Sequence, residues 1–462
     1  MDKRAAIPVA LPRENPTQSY WQLEPDEIAD LRLTNSLPDK ADVVIIGSGI
    51  TGAAVAFNLL SSGARDVVML EARQACSGAT GRNGGHTKAA SYRSFLAHQK
   101  EYGTAMAAKI ARMELANVRA VHAFAREHGI ECDSTQLDTV DVVYEAAQWE
   151  LDQIAVKAMQ DAMPGDDASN YKLHSPEDMR NKFFCGRGGD EGVSGGVSYE
   201  AGSLSAYKFG IGVLKLCLAK GLNLQTNTPA LNLEKLEGGG GWKVETPRGA
   251  IRAGKVVLAT NAYTARVWNR FQGVIVPLRG NVTAQRPGLN MPKDGLPATY
   301  SFVYEGGYDY MIQRPKGSKF EGDIVIGGAL AKAPEEGLGE YGTTDDSAVN
   351  DVIMKCLNET LPKYFGDNWG ADDPEGRIRK AWSGIMGFSP DGFPFVGEVP
   401  GEKDLWISSS FQGHGMVLCW MCARALVAMM EGGDEKELDV WFPEIFKINE
   451  ERLKLTFKGR LS

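Results

Sequence analysis

The chain is poor in the residues that metal and disulfide chemistry require. Its 462 residues include six histidines and seven cysteines. The cysteines are odd in number and scattered, which argues against a disulfide framework and for a reducing, cytoplasmic compartment. The one C-x-x-C pair, Cys419 and Cys422, lies in an apolar helix-like run without a second pair, and reads as core rather than a zinc or dithiol site. Positive charge is also short: 50 Lys and Arg against 59 Asp and Glu give a net charge of −9. With no basic cluster to outweigh that total, a nucleic-acid partner is not expected. The charged N-terminal residues carry no apolar core, so they do not read as a secretory signal. One uncharged run, 43–63, is broken by glycines, serines and Asn58; it suits a strand, turn and helix better than a membrane span. Ser-His-Asp and paired-carboxylate signatures are absent as well.

What the chain has in quantity is glycine, 53 residues, and some of it is placed with purpose. Gly47-Ser48-Gly49-Ile50-Thr51-Gly52 follows the apolar run "DVVII" and opens a helix-like segment. Glu71 then ends the next strand-like run, "DVVMLEA". Strand, G-x-G-x-x-G turn, helix, strand and acid together form a dinucleotide-binding unit. The glycines let a pyrophosphate approach the helix N-terminus, and the acid accepts hydrogen bonds from a ribose. An acid rather than an arginine favours FAD or NAD over NADP. Ala72 and Arg73 continue into "SGATGRNGGHTK", 77–88, a composition no packed helix or strand requires. Bare backbone at Gly78, Ala79, Thr80, Gly84 and Gly85 suits close approach to an extended flavin. Arg82 and Asn83 are expected to anchor it, with His86 near the ring.

Elsewhere the pattern is mixed α/β. Residues 1–39 read as an arm laid over the body, with "SYW" at 19–21 as its aromatic anchor. Residues 98–128 predict one or two amphipathic helices, and 133–195 a strand, a helix and a glycine-rich loop. Neither that loop nor "EGGGGW" at 237–242 has the strand and helix of a second dinucleotide turn; the latter reads as a hairpin turn. Strand-like "KVVLATNAYT" precedes "VIVPLRGNVTA", after which the chain reads as β-rich through Ala329. Near the C-terminus "GHGM", Gly413-His414-Gly415-Met416, is expected to open an apolar helix whose N–H groups face the flavin. Tyr308 and Tyr310 alternate on one strand and can share one cavity. Trp382, Phe388 and Phe411 are further candidates for an aromatic cage around an amine.

The Gly47–Gly52 turn, Glu71, "SGATGRNGG", "VVLATNAYT", "VPLRG" and "FQGHGM", in that order, resemble the D-amino-acid-oxidase-like FAD oxidoreductases. They are most similar to the gamma-glutamylputrescine oxidase branch and its fungal-type relatives. The resemblance implies a Rossmann-like FAD domain (40–97, 198–276 and 376–435) interleaved with a β-sheet-plus-helices substrate domain (98–197 and 277–375), and a tail at 436–462. It further implies that Ala230 offers its backbone to adenine and that Thr260 lies near the pyrophosphate. Gly384 stands where covalently flavinylated relatives have a cysteine, and Asn83 where others have a histidine, so FAD is expected to bind non-covalently. His86 is the residue through which a link would form. Met386 replaces the arginine that often holds a substrate carboxylate, which points to an amine-bearing or neutral substrate, or to another arginine such as Arg314. Arg279, in "PLRG", is expected to be structural. Val325 stands where some oxidases carry an O2-activating lysine.

The implied activity is oxidation of a C–N bond of an amine or amino-acid-like substrate to an imine by hydride transfer to flavin N5. The expected electron acceptor is O2, yielding hydrogen peroxide. A dehydrogenase or biosynthetic tailoring oxidase with another acceptor is the alternative. Expected substrate-side residues are His414, Tyr308, Tyr310 and Trp382.

Overall fold

Alternation in the run 40–46 decides which side of the molecule each residue faces. In the computed structural model, which describes residues 1–185 and 192–459, this run is the strand Lys40–Ile46. Val43 and Ile45 point into a core shared with the helices Ile50–Ser61, Ala206–Ala219 and Cys419–Met430. Val44 and Ile46 point the other way, into a core with Trp242, Val244 and Ile251. A strand covered on both faces suits a parallel sheet, whose crossover helices lie against it. The order is Phe395–Glu398, Leu405–Ser409, Gly249–Leu258, Lys40–Ile46, Val67–Leu70, Asn223–Gln225, and the last five run parallel. The hairpin Asn232–Lys235 and Trp242–Thr246 joins by antiparallel pairing, with its turn at the expected glycines.

The second sheet has nine strands among the described residues, one of them, Lys172–His174, pairing beside Gly195–Ser203 off the main path, and is mostly antiparallel. Its order is Ile378–Phe388, Val276–Gln285, Ile324–Gly327, Gly307–Gln313, Thr299–Tyr304, Thr135–Val143, Gly195–Ser203, His86–Lys88. Only the Thr299–Tyr304 and Thr135–Val143 pair is parallel along this path. The chain passes between the sheets four times, as the boundaries read from sequence imply, but at other places. His86–Lys88, Gly195–Ser203 and Ile378–Phe388 all pair in the second sheet, the last along the length of Val276–Gln285.

The helices expected over 98–128 are present and begin earlier, at Tyr92, and one further helix was not anticipated. The 98–128 region is two helices, Tyr92–Tyr102 and Thr104–Glu127, parted at Gly103, whose φ of 84° no helix accommodates. The helix Asp351–Phe365 was not anticipated. Asn350 caps it through Oδ1, which accepts from the N–H groups of Val352 and Ile353 at 3.0 and 3.2 Å. Its Ile353, Leu357 and Leu361 pack with Tyr300, Phe302 and Trp369. Residues 186–191 of the glycine-rich loop lie outside the described residues. Among the described residues, no helix is long and apolar enough to cross a membrane.

The N-terminal arm is sewn to the glycine-rich loop between the two sheets. Ser19 Oγ donates to Gly81 O at 2.5 Å and Trp21 Nε1 to Asn83 O at 2.6 Å. Tyr20 stacks on Trp382 with ring centroids 6.1 Å apart, and Thr17 N donates to Asp346 O at 2.7 Å. Trp21 is buried, so removing its ring opens a cavity as well as breaking the hydrogen bond. Trp21→Ala should lower unfolding free energy by about 3 kcal/mol, read as the midpoint shift in urea unfolding. An unchanged midpoint would mean that the arm is not part of the folded core.

Candidate cofactor and active site

The turn after Lys40–Ile46 is shaped by contacts that exclude side chains. Gly47 has a φ of 106°, and a Cβ there would lie 2.5 Å from Ala259 O. A Cβ on Gly52 would lie 1.9 Å from Gly47 O, so the first turn of the helix can sit against the loop only as glycine. Gly49 is the N-cap of that helix and supplies no side-chain cap; Ile50 N takes Thr80 Oγ1 as acceptor at 3.0 Å. Glu71, just beyond Val67–Leu70, is aimed at this turn. Its Oε2 accepts from Ser48 N at 3.1 Å and Ser48 Oγ at 2.7 Å, and its Oε1 from Arg73 N at 2.9 Å.

A cavity of about 750 Å³ starts at this turn and runs between the sheets. Glu71, Ala72, Arg73 and Ala230 line one end; Gly47, Gly49, Ile50, Thr51 and Thr260 follow. Gly78, Ala79, Thr80, the segment 82–86, Gly384 and the loop Gly413, His414, Gly415 and Met416 line the middle. Tyr308, Tyr310, Phe388 and Phe411 also line it, with the Tyr308 and Tyr310 rings 6.4 Å apart. Gly52 is outside the lining, and its part is to let helix and loop approach. Of the 23 residues expected to hold cofactor, the structure thus brings all but Gly52 to one surface.

Several of those residues act differently from expectation. Arg82 faces inward and is 3% exposed. Its Nε donates to Ser383 O at 2.8 Å and lies 3.4 Å from Asp346 Oδ2, while Nη2 bonds Thr17. A buried guanidinium needs such partners; burial lowers its pKa to about 10 even with Asp346 opposing the shift. Arg82 therefore braces the loop rather than reaching out to a ligand. Asn83 does the same, accepting from Gly85 N at 2.8 Å and donating to Thr80 O at 3.1 Å. Trp382 is not in the cavity wall: it is fully buried, stacked on Tyr20, and donates from Nε1 to Arg82 O at 2.8 Å. Nor does the helix begin at "GHGM". Residues 415–417 form a single 3-10 turn and the α-helix starts at Cys419, so the backbone of 413–416 faces the cavity as a loop.

His86 borders the cavity on the strand His86–Lys88, with Nε2 2.6 Å from Thr299 Oγ1. Its Nδ1 is buried without a hydrogen-bond partner among the described residues. Burial, with Lys88 adding to it, holds the imidazole well below its usual pKa and hence neutral. Of the arginines, Arg314 is outside the lining, buried and paired with Asp133 at 2.9 Å; it is not available to a substrate carboxylate here. Arg279 lines the cavity but is clamped by Glu340 at 2.6 and 3.1 Å. Met386 lines the cavity, and Val325 is buried away from it. Sequence reading missed Asp346, which pairs with both Arg73 and Arg82, and the arm residues Leu11 and Pro12, which border the cavity. It also passed over Lys88, which closes the run 77–88 and lines the cavity.

The glycines against backbone, the acid beyond the second strand and the unpartnered Nδ1 fit an extended dinucleotide. Residues 42–429 match the FAD dependent oxidoreductase (DAO) family. The probable oxidoreductase OrdL of Rhizobium meliloti is 26% identical over 422 residues, 87% of this chain and 85% of that one. The gamma-glutamylputrescine oxidoreductase of Escherichia coli is 22% identical, over 92% of this chain and 91% of that one. Among solved structures, glycine oxidase from Geobacillus kaustophilus superposes with a TM-score of 0.69 at 18% identity, covering 89% of this chain and 99% of that one. L-Amino acid deaminase from Proteus myxofaciens, in complex with anthranilate, gives 0.68 at 15% identity, over 95% and 99%.

Gly52→Ala should cost about 1–3 kcal/mol through overpacking and reduce the flavin retained per protein after purification, read by visible absorbance. Full retention would contradict the close approach. Behind the two tyrosines, Asp309 is 2% exposed and accepts from Tyr304 OH, Ala329 N and Thr360 Oγ1 at 3.0, 2.8 and 3.2 Å. Burial raises its pKa to about 6. A raised carboxyl favours the folded state below its unfolded pKa and loses that benefit as pH rises through the folded value. Stability should therefore fall between about pH 4 and 6, by up to about 3 kcal/mol, and Asp309→Asn should flatten the slope. Thermal melts of both proteins across that window check it; parallel slopes would contradict it.

Proposed function

The chain belongs to the FAD dependent oxidoreductase (DAO) family, and from that premise we propose that it oxidises a C–N bond of a small amine or amino-acid-like molecule to an imine. In this reading O2 takes up the electrons and hydrogen peroxide is released. The observation that carries it is the single cavity joining the Glu71 end to the aromatic end at Tyr308 and Tyr310. FAD, when bound, supplies the hydride acceptor, flavin N5. Glu71 would hold a ribose, the backbone of 49–51 the pyrophosphate, and the loops 78–86 and 413–416 the flavin half.

The remaining work falls to this chain's own side chains. Tyr308, Tyr310 and His414 would form the substrate walls and hold the reacting C–H bond in place. Phe388 and Phe411 would keep that space apolar, which favours the neutral amine over its ammonium form. Trp382 would serve at one remove, through Arg82. Gly384, in place of a cysteine, supports non-covalent FAD, as does the tie of His86 Nε2 to Thr299. Seven free cysteines support a reducing, cytoplasmic setting. The names of the relatives, gamma-glutamylputrescine oxidoreductase and glycine oxidase, support amines and amino acids as the class to test. A second reading keeps FAD but changes the acceptor, because the strand Ile324–Gly327 offers Val325 where O2-activating relatives carry a lysine.

Acid denaturation and centrifugation of the purified protein should leave FAD in the supernatant; yellow in the pellet would mean a covalent link. An amine and amino-acid panel should then bleach the flavin anaerobically, and re-aeration should give stoichiometric peroxide. Bleaching without peroxide favours the second reading, and a flavin that no member of the panel bleaches contradicts both.

A further inference from the structure

One polar network borders the cavity with a single side-chain atom left over. It begins at Arg279, on the strand Val276–Gln285, each of whose guanidinium nitrogens has an acceptor. Nε and Nη2 donate to Glu340 at 2.6 and 3.1 Å, and Nη1 to Asp345 O at 3.2 Å. Glu340 Oε1 also accepts from Asn350 Nδ2 at 2.7 Å. Asn350, the cap of Asp351–Phe365, gives its backbone N–H to Asn281 Oδ1 at 2.9 Å. Asn281 stands two residues beyond Arg279, on the same face of the strand, and is 2% exposed. Its Nδ2 has no acceptor among the described residues.

The bond from Asn350 fixes which way the amide points. Turned over, Asn281 would set its NH2 against the N–H of Asn350, donor against donor, so the oxygen takes that side and the NH2 the other. A buried amide N–H without an acceptor carries the full cost of its lost hydration, and a network left open at one atom is the costly kind. The open atom belongs to a residue that lines the cavity. Asn281 pairs across the sheet with Ser383, whose carbonyl accepts from Arg82 Nε of the loop 78–86 at 2.8 Å. The Tyr310 ring closes the same corner. A Cβ on Gly84 would lie 2.4 Å from that ring, and one on Gly327 would lie 2.5 Å from its hydroxyl and 3.3 Å from Asn281 O. Asn281 therefore borders the cavity beside the loop read as holding the flavin half.

We infer that Asn281 is a flavin-binding residue, whose Nδ2 donates a hydrogen bond to a carbonyl oxygen or ring nitrogen of the bound isoalloxazine. The inference rests on the placement of the flavin half given above, but not on amine oxidation or on the electron acceptor. Arg279 does not take this part, because Glu340 and Asp345 hold it. The donor is thus a neutral amide, and the backbone of Asn350 sets its direction. Negative charge grows on the acceptor atoms of the ring when flavin is reduced, so a preorganised donor stabilises the reduced form more than the oxidised one.

The test uses the FAD-loaded protein and reads the flavin rather than turnover. Reduction potentials are measured by anaerobic equilibration with a reference dye for wild type, Asn281→Leu, Asn281→Asp and Asn350→Ala. Loss of the donor in Asn281→Leu should move the flavin equilibrium roughly ten-fold towards the oxidised form, a potential about 30 mV lower for two electrons. The visible flavin bands should shift with it. Asn281→Asp keeps Oδ1 for the N–H of Asn350 and replaces only the donor, so its potential should fall as well; if Asn281→Leu does not retain flavin, Asn281→Asp makes the same comparison. Asn350→Ala removes the helix cap and the link to Glu340 but leaves the backbone N–H that Asn281 accepts. It should lower the urea midpoint and leave the potential at the wild-type value. An unchanged potential in the Asn281 variants, or an equal shift in Asn350→Ala, overturns the inference. The two readings fail separately: a flavin that no amine bleaches would sink amine oxidation alone, and an Asn281-independent potential would sink this bond alone.

Discussion

A buried ion-pair triad holds the crossing between the two sheets, and the rest of the site takes its shape from it. Asp346 pairs with Arg73 at 3.0 Å and lies 3.4 Å from Arg82. Arg73 follows the strand Val67–Leu70 by three residues, and Arg82 lies where the chain turns toward the second sheet at His86. The same Arg82 ties the arm through Thr17 and the strand Ile378–Phe388 through Ser383. Removing one partner of a buried pair costs several times what the pair gains, on the order of 3–5 kcal/mol. That asymmetry fixes the loop 77–86 in one place, although its glycines would otherwise allow many. Preorganisation of this kind spares a ligand the entropy of ordering the loop.

The segments best legible in sequence were those whose physics is local. A β-branched run, a glycine turn, a helix and an acid at the end of the next strand depend on neighbours within about one βαβ unit, and they are found as read. The hairpin at 237–241 was equally local. What sequence could not supply was pairing across long separations. Asp346 lies 273 residues from Arg73, and nothing in its own neighbourhood marks it as a partner. Trp382 looked like cage material because aromatic residues serve core and site alike; only its hydrogen bond to Arg82 O assigns it to the support behind the loop. The "GHGM" turn was misread for a related reason. Its apolar continuation has helical character, yet the 3-10 turn at 415–417 delays the α-helix to Cys419.

The two ends of the cavity follow different rules. At the Glu71 end, specificity comes from backbone and from glycines that no other residue can replace. At the Tyr308 end it comes from side chains whose charge is set by burial: a neutral His86, a charged Lys88 and an ionised Asp141. Fold is shared among enzymes with many substrates, so the first set does not by itself fix what is bound at the second. Lys88 reads in sequence as a lone basic residue, and only strand pairing and helix packing bring Asp141, Arg93 and Tyr308 around it.

The central claim is that one cavity holds the whole dinucleotide, with Glu71 engaging its adenosine half. The direct measurement is titration of the flavin-stripped protein with FAD and with FMN, which carries the same ring but no adenosine. The account predicts one FAD per chain and binding of FMN weaker by roughly a hundred-fold, about 3 kcal/mol. Equal affinity for the two would contradict it.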